Sequence, residues 1–219
     1  MLCYQRGDTD NYQYYLTKAK DMATAWVDLA KDGNHYKLAY DRNGTWSQKY
    51  NMVWDKAWSL NVFPEDVVTT EYTYYKSKLN SYGLPLDSRS SYTKSDWEMW
   101  TAALATSNAD FFRISDLVWK YVNSTPSRVP LSDWYFTDGQ GAMTGFRARS
   151  VVGGHWMKVY VDKKLSGEIG TDIPGIKAQE EQTSTDSKHL SGWYNLSGQR
   201  INTPAKEGIY IKDGKKVLR

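Results

Sequence analysis

Apolar and aromatic side chains recur at three- and four-residue intervals through Tyr15, Ala19, Met22, Ala23, Trp26, Val27 and Ala30, which predicts an amphipathic helix over residues 10–31. Asp32-Gly33-Asn34 ends it. After the polar stretch Arg42-Asn43-Gly44-Thr45, the run from Val53 to Leu60 predicts a short, largely buried helix. Pro64, followed by Glu65 and Asp66, opens a helix over 64–80, with negative charge at the positive end of its dipole. Thr93 and Ser95 each have an acid three residues on, Asp96 and Glu98, so a capping box is expected to start a helix running to Ala105. Phe111, Phe112, Ile114, Leu117, Val118 and Tyr121 predict another over 108–122. A final helix is expected over 145–161, on Phe146, Val151, Val152, Trp156, Val159 and Tyr160, with Gly153 and Gly154 inside it where backbones pack closely. Residues 84–92 and 124–145 read as loops between helices.

The pattern changes after Lys164. Residues 165–189 are rich in Gly, Ser, Thr, Asp, Glu and Gln and read as a flexible linker. Residues 190–219 read as short strands, with Asp213-Gly214 as a two-residue hairpin turn. The expected fold is therefore mainly α over residues 1–164, with a small C-terminal β appendage.

Composition narrows the function classes. The 219 residues carry 28 Lys+Arg against 25 Asp+Glu, a formal charge of +3. Residues 186–219 hold seven basic and three acidic side chains, so the helical body is left slightly acidic and has no basic face for nucleic acid. No apolar run is long enough to span a membrane, and residues 1–15 lack the apolar core of a secretory signal, so any signal peptide is expected outside this chain. One cysteine and three scattered histidines (His35, His155, His189) give no metal-ligand spacing, and neither metal nor cofactor is expected. The unusual quantity is 15% aromatic residues, with 10 Trp and 17 Tyr, side chains suited to stacking on sugars or other flat polar ligands.

Three clusters combine carboxylates, cations and indoles: Trp54-Asp55-Lys56, residues 84–100 and residues 128–149. The candidate catalytic acids are Asp87, Asp96 and Asp133; the candidate substrate-binding residues are Trp54, Arg89, Trp97, Trp134, Arg147 and Arg149. Paired carboxylates in an aromatic pocket suit acid/base hydrolysis of an amide or glycosidic bond, with arginine holding a carboxylate or polar group. The same residues have structural readings. Asp96 fits a helix cap, Asp87 with Arg89 a loop-locking ion pair, Asp133 a turn cap, Trp97 and Trp100 the core, and His155 a packed helix. Arg147 and Arg149 would point to different sides of their helix. Spacing alone names no reaction.

Five ordered blocks carry a family resemblance. They are Gly44 to Lys56, Tyr82 to Arg89, Thr93 to Trp97, Arg128 to Tyr135, and Gly145-Phe146-Arg147-Ala148-Arg149-Ser150-Val151-Val152-Gly153-Gly154. Together they make residues 8–162 resemble the C-terminal part of the glutaminase A family, found in fungi and Bacteroidetes-type bacteria. The resemblance implies a partial (α/α) toroid of helix hairpins, like that of six-hairpin glycosidases, and hydrolysis of L-glutamine to L-glutamate and ammonia. It also implies a longer protein, in which an N-terminal part of the same polypeptide would partner this half-ring. The tail, with Tyr194-Asn195-Leu196-Ser197-Gly198-Gln199-Arg200 and Gly208-Ile209-Tyr210-Ile211, resembles the end of type IX secretion domains, though shorter. That implies a secreted, periplasmic or cell-surface protein of a Bacteroidetes-type bacterium. The alternative class is a carbohydrate-active or carbohydrate-binding helical-toroid protein, since fold does not fix function. The expected substrate is thus a small molecule or a glycan.

Overall fold

The computed structural model describes residues 1–170, 192–195, 199–203, 208–213 and 215–218. The chain divides into two compact units, 1–174 and 175–219.

The first unit is helical. A short helix α1 (Leu2–Gln5) precedes α2 (Thr9–Ala30), which starts where the Asp8 carboxylate accepts from the Asn11 N–H at 3.3 Å. Only Ala23 and Ala30 of α2 are buried. Trp26 stacks on Tyr36 at 4.8 Å and meets Phe63 edge-on at 5.6 Å, which anchors the C-terminal half of the helix. Tyr15 and Met22, expected on the buried stripe, are exposed together with Tyr14 and Leu29; only the face of α2 that carries Ala23, Trp26 and Ala30 meets the core. A tight antiparallel hairpin follows, β1 (Lys31–Asp32) and β2 (His35–Tyr36), with Gly33 at φ +60° in the turn.

A 3-10 turn (Tyr50–Met52) leads into α3 (Val53–Trp58), which stops at Ser59 in the left-handed region. The Asp55 carboxylate then accepts from the N–H groups of Val62 and Phe63 at 3.0–3.1 Å and folds the chain towards α4 (Glu65–Lys76). Pro64 sits at the start of α4, with Glu65 and Asp66 in its first turn. Strand β3 (Tyr92–Lys94) runs directly into α5 (Ser95–Ala102). Helix α6 (Asn108–Ser124) is capped by the Ser107 hydroxyl, which accepts from the Asp110 N–H at 3.1 Å. Strand β4 (Trp134–Phe136), a 3-10 segment (Ser150–Trp156) and α7 (Met157–Leu165) complete the unit. Its core gathers Ala30, Tyr36, Val53, Val67, Leu104 and Ile114 with Val161 of α7. No helix among the described residues is long and apolar enough to cross a membrane.

Three sequence expectations are corrected. The capping box does not form: the N-terminal position of α5 is Lys94, and no side chain caps it. Thr93 and Ser95 are turned to tertiary partners instead, Thr93 accepting from Gln48 at 3.1 Å and Ser95 facing His155 at 2.9 Å. The final helix does not begin at Gly145. Residues 145–149 are non-helical, with Ala148 at φ +50°, so Arg147 and Arg149 do not share a helix. Of the two glycines behind them, only Gly154 is in tight contact: a Cβ there would lie 2.7 Å from Trp100 Nε1 and 2.9 Å from Asp96 Cβ, whereas Gly153 is open. Third, the two stretches read as loops are joined to each other by the antiparallel ladder of β3 and β4.

In the second unit, β5 (Trp193–Tyr194), β6 (Arg200–Ile201), β7 (Ile209–Lys212) and β8 (Lys215–Leu218) form an antiparallel sheet in the order β6-β5-β7-β8. Lys212 faces Lys215 across the expected two-residue turn, with Asp213 at φ +50°. Most of the stretch read as a linker, residues 171–189, lies outside the described residues.

Candidate active site

The β3–β4 ladder pairs Thr93 with Tyr135 and Lys94 with Trp134. Alternation along each strand sends Thr93 and Tyr135, both fully buried, inward, while Lys94 and Trp134 share the opposite face. The Ser95 N–H donates to the Asp133 carbonyl at 2.8 Å, which extends the ladder into the first turn of α5. Beneath it, the buried Gln48 amide donates to the carbonyls of Leu84 and Pro85 and to Thr93, and accepts from Thr101 at 2.8 Å. Both amide hydrogens and the amide oxygen are thus engaged within the protein.

Asp133, immediately before β4, is 0% exposed. Its carboxylate accepts a bidentate pair from Arg149, Nε–Oδ1 at 2.9 Å and a short second contact, and lies 3.5 Å from Lys94 Nζ. Burial works to raise the Asp133 carboxyl pKa, but Arg149 and Lys94 outweigh it and hold the group below the ordinary carboxylate range. Asp96, in the first turn of α5 and 5% exposed, has no such clamp. Its Oδ1 is buried without a hydrogen-bond partner. Burial raises its carboxyl pKa, and the charge of Asp133 adds to the rise while Lys94 opposes it. Two neighbouring carboxyls are thus driven apart, one towards the proton-bearing form and one towards the anion.

Around the two acids, the Trp100 and Trp134 indole N–H groups and Lys94 Nζ are also buried without hydrogen-bond acceptors. Lys94 Nζ lies 4.8 Å from the Trp134 ring centre, 5.2 Å from Phe146 and 5.7 Å from Trp97. His155 meets Ser95 Oγ at 2.9 Å, and burial lowers its pKa, with Asp133 opposing. Tyr50 stacks on Trp97 at 4.5 Å, the rings within 4° of parallel. Burial raises the Tyr50 pKa, and Asp96 adds to it.

Tyr50 and Trp97 also wall a cleft of about 500 Å³ that includes Trp26, Phe63, Lys49 and the Asp87–Arg89 pair. Asp87 accepts from Arg89 through Nε at 2.9 Å and through the guanidinium terminus at 2.7 Å, so Arg89 holds its carboxyl low against the effect of burial. The structure therefore brings Asp96, Asp133, Trp97, Trp134 and Arg149 together. It places Asp87 and Arg89 on the cleft side of Trp97. Trp54 packs among Trp58, Trp100 and Tyr160 in the helical core. Arg147 is exposed, its Nε against Met143 Sδ at 2.9 Å.

Sequence reasoning did not single out Tyr50, Lys94 or Phe146, all of which stand in the quoted motif blocks. It also read Glu98 as a cap. Glu98 is fully buried, accepting from the Leu84 N–H at 2.6 Å and the Tyr135 hydroxyl at 2.7 Å, and burial pushes its pKa up to about 8. Gly83, at φ +139°, is the residue that makes room for it: a Cβ there would lie 2.1 Å from Glu98 Oε1. No group of three metal-ligating side chains exists among the described residues.

Residues 1–159 match the family described as Glutaminase A six helical-hairpin domain. A probable glutaminase of Arthroderma benhamiae is 29% identical over 242 aligned positions, covering 96% of this chain and 28% of that protein. Glutaminase A of Aspergillus oryzae is 36% identical over 155 residues, covering 68% of this chain and 22% of the relative. The chain thus spans under a third of the length of these relatives, and no solved structure matches it. With residues 1–159 of its 219 matched, the chain belongs to the glutaminase A six-helical-hairpin family.

Proposed function

We propose that the chain carries the acid/base pair of a hydrolase that converts L-glutamine to L-glutamate and ammonia. The observation that supports this reading is Asp96, a buried carboxyl with an unpartnered oxygen beside an ionised Asp133, in a chain whose relatives are named glutaminases. In the proposed reaction the ionised Asp133 takes a proton from water as its oxygen bonds to the γ-carbonyl carbon. Asp96 delivers its proton to the amide nitrogen as the C–N bond breaks, and ammonia leaves. Asp87 with Arg89 would shape the adjoining cleft. The proposal is tested by ammonia release from L-glutamine, with Asp96→Asn as the control; turnover unaffected by that substitution would sink it.

The flat Tyr50–Trp97 pair lining the 500 Å³ cleft supports a second reading, a glycan-processing or glycan-binding protein. Reducing-sugar release from a glycan panel without ammonia release from glutamine would favour it. From the tail resemblance we further propose a location outside the cytoplasm of a Bacteroidetes-type cell, to be checked by cell fractionation.

A further inference from the structure

We propose that Lys94 and the indole N–H of Trp134 form a carboxylate subsite that holds the α-carboxylate of the substrate, beneath Phe146; this rests on the hydrolase reading above.

Three arginines stand near the acids or the cleft, and each is engaged within the protein: Arg149 on Asp133, Arg89 on Asp87 and Arg147 on Met143. Lys94 differs. Its side chain keeps 15% of its exposure, and its nearest anionic oxygen, on Asp133, is 3.5 Å away, beyond a good ammonium hydrogen bond. Its three N–H donors have no acceptor, and neither has the Trp134 Nε1–H, the ring centre of which is 4.8 Å from the ammonium. A buried ammonium and indole left unfilled are costly unless a ligand supplies acceptors. A carboxylate has two oxygens, one for each donor, and its charge matches the lysine. The ring faces of Trp97, Trp134 and Phe146 keep water away and strengthen the pairing.

Phe146 is the removable cover. It is half exposed, stacks on Trp134 at 5.4 Å and belongs to the non-helical segment before Ser150. That segment is held by the Ala148 N–H on the Leu131 carbonyl at 2.9 Å and by Arg149 on Asp133, and the Arg149 guanidinium lies 4.4 Å from the Phe146 ring centre, so displacing Phe146 uncovers Lys94 and one face of Arg149 while the Arg149–Asp133 hydrogen bonds remain available. A ligand anchored at Lys94 then lies next to Asp96, whose Oδ1 awaits a partner.

The test is calorimetric binding of L-glutamine and of L-glutaminamide, in which the α-carboxylate is replaced by a neutral amide. Wild type should prefer L-glutamine by at least about tenfold, the range of one charge-assisted pair. Lys94→Met should bring the two ligands within about twofold of each other, a loss of preference that a lysine serving only Asp133 would not cause. Lys94→Arg should keep part of the preference, and Trp134→Phe, which removes the N–H donor together with part of the ring, should reduce it. Preference retained in Lys94→Met, or absent from wild type, overturns the subsite. If wild type releases ammonia from L-glutamine under either of those outcomes, the hydrolase reading stands without it. If wild type releases no ammonia but binds propionate, and Lys94→Met does not, the hydrolase reading falls and the carboxylate subsite stands. Wild type binding neither propionate nor L-glutamine overturns the subsite.

Discussion

Asp96 and Asp133 meet where α5 leaves the β3–β4 ladder, yet the protein treats their carboxyls oppositely: Arg149 and Lys94 clamp Asp133, while Asp96 keeps a buried oxygen with no partner. The difference arises from position. Asp133 ends the loop that faces the 145–149 segment and meets Arg149 there, whereas Asp96 lies against the Gly154 backbone.

Asp96→Asn is expected to lower kcat by at least about 10²-fold with the fold intact, the usual worth of a general acid. Because the reaction needs Asp96 protonated, with its pKa raised, and Asp133 ionised, with its pKa lowered, kcat should hold between the two values, fall as pH rises through that of Asp96 and fall again as pH drops through that of Asp133. A kcat–pH profile with no falling alkaline limb counts against Asp96 as donor. Asp87→Asn, in the cleft wall, should change KM more than kcat.

Gly154→Ala places a methyl group 2.7 Å from Trp100 Nε1 and 2.9 Å from Asp96 Cβ. Both neighbours are held by α5, so the 150–156 segment must shift. Activity should drop well beyond any loss of folded protein, whereas Gly153→Ala, with open space around it, should be near neutral in both. Paired activity assays and thermal melts check this.

Glu98 carries the clearest pH signature. Burial pushes its pKa up to about 8 in the folded protein, above the ordinary 4.5 of a glutamate, so folding favours the protonated form. The stabilisation is complete below the unfolded value and is lost progressively as pH rises from about 4.5 through about 8. Glu98→Gln should flatten this part of the stability–pH curve in urea titrations.

Gln48→Leu would strip hydrogen bonds from the carbonyls of Leu84 and Pro85 and from Thr93 and Thr101. A loss of about 2–4 kcal/mol in urea unfolding is expected, since the abandoned groups stay buried. A change within about 0.5 kcal/mol would mean water replaces the amide.

Much of the helical scaffold was legible in the sequence. The 3.6-residue spacing around Trp26, Ile114 and Val118, the Pro64 start and the Asp213 turn all follow from local chemistry, and α2, α4, α6 and the C-terminal hairpin lie within a few residues of their expected bounds. The candidate acids were visible as residues, but not their environments. Nothing local tells that Arg149 rather than Arg147 finds Asp133, since that depends on Ala148 turning to φ +50°. Nor does local pattern separate a cap from a buried acid: Glu98 fits the capping spacing, but Leu84 and Tyr135, distant in sequence, claim it. The family resemblance carried the fold class, and packing decided which side chains were left unpaired.

The β3–β4 ladder also sets what lineages of this protein can change. Lys94 and Trp134 face the site only because Thr93 and Tyr135 face inward, so a single-residue insertion or deletion within 92–95 or 133–136 would exchange the two faces and bury a lysine where a threonine stands. Length variation is instead free to accumulate at the exposed positions 138–140, outside the paired register. Indels should therefore stop sharply at the ladder's ends, while point substitutions at Asp138 and Gln140 pass unnoticed and Gly139, at φ +56°, resists them.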